Sequence, residues 1–572
     1  MKKLLTLLAM LTIFALAVAA CGSNEPEAPP AQTNTPPPAE ETPDDTTNDT
    51  QEETPEDPVA EGATQEITFA LHNEYTTIDP GISNNSFAAE ILSNTFEGLV
   101  TFCTSTGAII PGQAESWTVS DDGLVWTFHL RQGLMWSDGS PLNANDFEWA
   151  WKRVLTPETV SQQTTPFKTY IYNAEEFFNG EVGPEELGIR AVDDNTFEVR
   201  LINPTGFFLD VIVSWPFSPV QQATVEANGE RWTLEAETFV GNGPFRLAEL
   251  SPGYLIVMEA NPYYRDAANV HLDRVNFRYI PDLGTALLAF ESGEIDGSRS
   301  IMAGELPRLR VDGAGVVTVP SFATVFYSVN VEREPLNDVN VRRALALALD
   351  RHAIINDVLQ ASAAPATGIV PPGAIFDGAD FITGRVDVGL RPTANIEEAQ
   401  AALAEAGFPN GEGFPPLSMH FWTNDNARRI AEAMAEMWIT NLNIEVNIYN
   451  EEWPVLFETR LQPGDFYVAH TGWGGGFVHP MAFLPVFRSD DINNLSRFNH
   501  PEYDRIIAEA MAEVDPVRAF ELMREADDLL ITEFAVIPLH HSDNTMLMAP
   551  HVQDFFLTPS NLLFLRNARV VG

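Results

Sequence analysis

Cysteine is nearly missing from this sequence: Cys21 and Cys103 are the only two in 572 residues. Two sulfurs exclude a disulfide-framed fold and a four-cysteine metal site, and packing must carry the structure. Cations are scarce as well, 32 Lys and Arg against 81 Asp and Glu, for a formal net charge of −49. Nucleic acid and anionic lipid both require clustered Lys and Arg, so neither is expected as a partner. After the first twenty residues, no stretch approaches the ~18 uncharged apolar residues of a spanning helix. Motifs of covalent and cofactor chemistry are missing too: G-x-S-x-G, H-E-x-x-H, G-x-x-x-x-G-K and a calcium loop do not occur. GNGPF (241–245) lacks the third glycine of a dinucleotide fingerprint, and its Pro244 removes an amide donor. The pair His540-His541 follows VIPL; neighbours on a strand point to opposite faces, so the pair is a poor chelate and reads as structural. A binder is therefore expected rather than an enzyme, with no cofactor and no metal.

The chain opens MKKLLTLLAMLTIFALAVAAC. Lys2 and Lys3, an apolar run and small residues before Cys21 have the order of an export signal over residues 1–20. Small residues ending on cysteine resemble a bacterial lipobox, in which Cys21 is lipidated and becomes the first mature residue, leaving Cys103 without a disulfide partner. Residues 22–63 hold nine prolines and twelve Asp or Glu with no Lys or Arg. Such a segment buries too little apolar surface to offset its ordering entropy, so 21–63 is expected to be a tethered, disordered stalk. With the stalk's −12 and the signal's +2 removed, −39 remains on residues 64–572, so acidity belongs to the folded part as well.

Within that part, Trp117 and Val119, a turn at SDDG, then Trp126, Phe128 and Leu130 predict a hairpin with one buried face and His129 on the polar side. Asn143 is placed to cap a helix whose inner face carries Phe147, Trp151 and Val154. TFEVRL alternates Phe197, Val199 and Leu201 as a further strand. VRRALALALDR (341–351) and IEEAQAALAEAGF are amphipathic helices, the latter with Gly407 at its C-cap. Leu417, Met419 and Phe421 alternate, Ile430, Met434, Met437 and Trp438 follow helical spacing, and Ile444, Val446 and Ile448 alternate again. That order predicts a strand, helix, strand crossover in a partly parallel sheet, hence an α/β class.

TGWGGGFVHP (471–480) sets four glycines around Trp473. Glycine is costly in an ordered element unless the backbone needs φ > 0 or something must approach it closely, so the run predicts a contact surface.

IDP (78–80), NTFEGLV (94–100), PGQAESWTVSDDGLVWTFHLRQGLMWSDGSPLNANDFEWAWKRVL (111–155), ELGIRAVDDNTFEVRL (186–201), GNGPFRL (241–247), NPYYRDA (261–267) and FYSVNVEREPLNDVNVRRALALALDR (326–351) resemble the extracytoplasmic solute-binding proteins of ABC importers, oligopeptide-binding family. The resemblance runs from about residue 64 to the end. It implies a bilobed, periplasmic-binding-protein-like α/β fold of class II, large cluster C type, with an extra β-rich subdomain. Lobe I would comprise 64–100, 206–317 and 541–572, with the subdomain at 101–205 and lobe II at 318–540. The lobes would close on an oligopeptide, and the receptor, a monomer anchored outside the cytoplasmic membrane, would hand it to a permease and ATPase complex. By the same match Gly472 and Gly474 would offer main-chain partners to an extended guest, Trp473 would wall the pocket, and His470 would stand where some relatives meet a peptide carboxylate. Relatives that bind peptides usually carry an aspartate-tyrosine pair where this chain has Gly476 and Phe477, so the expected ion pair to the guest's α-amino group is missing. An oligosaccharide or a metal or haem complex, with Trp422, Trp453 and Trp473 as stacking surfaces, remains an alternative cargo, and a peptide sensor without transport an alternative role.

Overall fold

A computed structural model of the chain describes residues 65–572, apart from 85, 303, 377, 378, 384 and 386. The expected signal, Cys21 and the stalk lie outside the described residues. Strand β1 (Glu66–Leu71) opens the fold and is followed by a four-stranded antiparallel sheet of β2 (Ala114–Val119), β3 (Val125–Leu130), β4 (Ile189–Asp193) and β5 (Thr196–Arg200), in the order β2-β3-β5-β4. The predicted hairpin is β2-β3, with Trp126, Phe128 and Leu130 buried and His129 half-buried on the other face. Helix α1 (Ala144–Leu155) packs on this sheet and begins with a full capping box, Asn143 serving the first-turn amides and Asp146 reaching back to the Asn143 N–H. Phe147, Trp151 and Val154 are buried as their spacing predicts.

The remaining principal strands, β6 (Phe245–Ser251), β7 (Leu255–Ala260), β8 (Arg274–Tyr279), β9 (Gly297–Ser298), β10 (Val316–Val329), β11 (Leu417–Trp422), β12 (Val446–Glu451), β13 (Val468–Gly474) and β14 (Val536–Met548), join β1 in one sheet ordered β12-β11-β13-β10-β14-β9-β1-β8-β7-β6, with Ala364–Pro365 also paired to β14. β11 and β12 are parallel and α2 (Asp425–Leu442) links them, which is the predicted crossover; β12 starts at Val446, two residues later than the alternation from Ile444 implies.

Two long strands hold the halves of this sheet together. β10 and β14 run antiparallel, but their register shifts between Pro320 and Thr324, opposite Asp543 and His541, and again between Val325 and Phe326. On one side of the shift the pair adjoins β9, and on the other it adjoins β13. Extra residues in one strand bend and twist a ladder, so the irregularity stands where one half of the sheet passes into the other.

Several motifs quoted above for their resemblance meet at one buried carboxylate. Glu97, 5% exposed, accepts from Gln113 Nε2 at 2.8 Å, Tyr264 Oη at 2.6 Å and Arg265 Nε at 2.6 Å, with Arg566 at 3.5 Å. Burial pushes its carboxyl up, yet Arg265 and Arg566 outweigh that and hold it below the ordinary value. Asn242 of GNGPF ties the Glu97 backbone at both its N–H and C=O. A Cβ at Gly241 would lie 2.2 Å from Thr95 O, and one at Gly243 2.5 Å from Thr95 C, so these glycines serve a backbone crossing. Asp79 of IDP is a second such centre, held by Arg153 and the Trp232 indole.

Cys103 corrects an expectation. It is buried and disulfide-bonded, not an unpartnered thiol. The sequence count had assigned the only other sulfur, Cys21, wholly to lipid, and Cys21 lies outside the described residues.

Removing the acceptor at Glu97 leaves two buried guanidinium groups uncompensated. Glu97→Ala is expected to cost about 3–5 kcal/mol, measured as the shift of the urea unfolding midpoint.

Candidate functional site

β13 carries His470 to Gly474 along the middle of the sheet. Its pairing with β10 is continuous, from Val468 opposite Val329 to Gly474 opposite Ala323. On its other side β11 pairs only as far as His420 opposite Ala469. Beyond that point no described strand covers the edge of β13.

Backbone direction along β13 follows from period two. The Gly475 N–H donates to Phe322 O and the Tyr467 C=O accepts from Asn330 N–H, so odd-numbered residues address β10. Gly472 and Gly474 therefore turn their N–H and C=O groups to the uncovered edge. Both are exposed, and none of the glycines from 472 to 476 has positive φ. Backbone conformation thus does not require glycine here.

The local reasons differ along the run. A Cβ on Gly475 would sit 2.6 Å from Phe322 Cδ1 and 2.9 Å from Phe483 Cε2, two buried rings packed edge to face, so packing requires this glycine. At Gly476 nothing lies within 4 Å of such an atom, and at Gly474 only the Ala323 Cβ at 3.9 Å does. Gly472 stands in one row with Val325 and His540 across three strands, and directly opposed residues share a face of the sheet. That face borders a pocket of about 320 Å³, lined among others by Val325, Trp422, Asn424, His470, His540 and Asp543. The bare face of Gly472 and Gly474 continues the floor of this pocket along the open edge.

His470 lies in the pocket wall, 7% exposed, and its Nδ1 accepts from Trp422 Nε1 at 3.1 Å. Burial, with His540 nearby, brings its pKa down to about 4. At neutral pH the ring is uncharged, and the expected role against a peptide carboxylate reduces to that of a neutral hydrogen-bonding group. His540 is likewise brought to about 4 by burial. The expected structural pair proves to be two different residues: His541 hydrogen-bonds Thr324 Oγ1 at 2.8 Å inside the fold, whereas His540 faces the pocket.

Other expected residues stand elsewhere. Trp473 is half-buried on the opposite face from His470, its indole donating to Ala482 O at 2.7 Å. Phe477 stacks on Phe207 at 5.7 Å between centroids and meets Tyr170 edge to face, so it joins the glycine loop to the region of the small sheet. Of the three tryptophans weighed as stacking surfaces, Trp422 lines the pocket and Trp453 is exposed at the start of a short helix.

Gly475→Ala is expected to cost about 1–3 kcal/mol by overpacking, and Gly476→Ala to stay within about 0.5 kcal/mol of wild type; thermal or urea unfolding of the two variants side by side checks the contrast.

Residues 108–494 match the family described as "Bacterial extracellular solute-binding proteins, family 5 Middle". The periplasmic oligopeptide-binding protein OppA of Salmonella typhimurium is 34% identical over 509 residues, covering 87% of this chain and 91% of that protein. Heme-binding protein A of Haemophilus influenzae is 28% identical over 505 residues, covering 84% and 86%. Among solved structures, the periplasmic murein tripeptide binding protein MppA in its unliganded open form gives a TM-score of 0.80 at 29% identity, covering 90% of this chain and 98% of that one. The Haemophilus influenzae OppA complex with RPPGFSPFR gives 0.65 at 28% identity, covering 89% and 99%. The chain has the bilobed α/β architecture of these proteins and belongs to family 5 of the bacterial extracellular solute-binding proteins.

Proposed function

We propose that this protein captures oligopeptides outside the cytoplasm between two hinged lobes and delivers them to an ABC importer. The uncovered edge of β13 carries the reading: Gly472 and Gly474 turn main-chain donors and acceptors to a bare, open face beside the pocket. An extended peptide adds to such an edge as a further strand and is held without its side chains being read. The register shift in β10 and β14 is the natural hinge, close to the lobe boundaries expected at 317/318 and 540/541, and a few residues suffice for such a motion. Relatives named for oligopeptide binding support the cargo.

A second cargo class stays in view because the pocket wall is largely apolar and Gly476 supplies no carboxylate. Heme-binding protein A is among the relatives.

Attachment to the membrane is proposed through a lipid on Cys21, which the signal-like segment supports and the bonded state of Cys103 opposes. One sulfur cannot carry both a thioether and a disulfide.

Titration with mixed tri- to hexapeptides should raise the melting temperature, a ligand at ~100 times its Kd adding about 2.7 kcal/mol. No shift from any pool, together with a single non-peptide mass on the protein purified from its host, would replace the peptide reading. Non-reducing mass analysis of the N-terminal fragment is expected to find Cys21 acylated and free of Cys103; a fragment joined to Cys103 would remove the anchor.

A further inference from the structure

Apart from two histidines, only one of the residues lining the pocket has an ionisable side chain. His470 and His540 are held neutral by burial, and the side chain of Asn424 is engaged with the Asn426 and Ala427 amides at the start of α2. Those amides are thus already satisfied, and the end of the helix offers no open place for an anion. Asp543 is the exception. Its Oδ2 is buried without a hydrogen-bond partner. Desolvation raises its carboxyl above the ordinary value, against a hydrogen bond from Ser362 and the attraction of Arg310. Arg310 itself is engaged with Thr318 Oγ1 and Ser362 Oγ.

A guest that fills this pocket removes the remaining water from Asp543. An ionised carboxylate buried without a partner costs several kcal/mol, so either the guest brings a positive group or the carboxyl takes up a proton. Peptides carry such groups at their amino terminus and on lysine and arginine, and a neutral sugar does not. Gly476 has no side chain with which to meet one. Asp543 lies three residues beyond His540 on β14, roughly 10 Å along the strand from the row that contains Gly472. That separation lies within the length of a short extended peptide.

Building on the peptide reading, we propose that Asp543 receives a cationic group of the guest, an ammonium or guanidinium, while the guest's main chain lies on the glycine edge. Specificity then has two parts. The edge accepts any main chain, and the carboxylate selects for positive charge at one place along it.

Three pentapeptide pools at neutral pH test this by calorimetry: free amino termini without Lys or Arg, the same pool N-acetylated, and an N-acetylated pool with one lysine. Asp543→Asn is expected to weaken the first or third pool tenfold or more and to leave the second within twofold. Loss confined to the first pool assigns the cation to the amino terminus; loss confined to the third assigns it to a side chain. Asp543→Glu keeps the charge and is expected to retain the preference for a cation. The unliganded melting temperature serves as the folding control for both variants. Wild type and Asp543→Asn binding all three pools alike would overturn the role of Asp543 and leave the peptide receptor standing, as would equal loss in both variants. Wild type binding no pool would overturn the receptor reading and this inference together.

Discussion

Every backbone N–H and C=O must find a partner or water, and a strand edge left uncovered is a standing template for another strand. β13 is covered by β10 on one side throughout, while β11 leaves it after Ala469. The open stretch lies inside the sheet instead of at its outer rim, which is occupied by β12 and β6. Unguarded external edges invite aggregation; this one is set beside a pocket. Gly472 and Gly474 then make sense through what they omit, since side chains there would stand on the face that borders the pocket.

In the proposed closure the same sheet supplies the motion. β10 and β14 run through both halves, so the halves are connected by paired backbone and not by a loose linker. The register shifts stand beside Asp543 and within a few residues of His540, and such irregularities bend a ladder locally. The pocket is thus built next to the proposed hinge. Under the proposed reading, a guest that meets both the open edge and Asp543 stabilises a closed arrangement by the difference in its contacts with the two states.

Local pattern carried much of the fold. Alternation located the β2-β3 hairpin and the β11-α2-β12 crossover, and capping chemistry placed the start of α1, because each is decided by neighbours a few residues apart. Pairing across hundreds of residues was not legible. Glu97 and Asp79 stood inside quoted motifs, yet the role of Glu97 depends on Arg265 and Arg566, and that of Asp79 on Arg153 and Trp232. Phe477 followed the glycines, and its packing on Phe207 and Tyr170, some 270 and 307 residues away in sequence, had no local signal. Asp543 had no motif at all, and only the shared pocket wall with His470 and Trp422 distinguishes it from the many surface carboxylates. His470 was legible as a position but not as a charge state, since burial decides that.

Residue-resolved amide hydrogen exchange, with and without a saturating peptide, tests the central claim most directly. A main chain added to the open edge predicts an alternating response: the Gly472 and Gly474 amides slow markedly, while those of Trp473 and Gly475, already directed at β10, change little. Uniform slowing across 471–475, or no change at Gly472 and Gly474 under saturation, would contradict it.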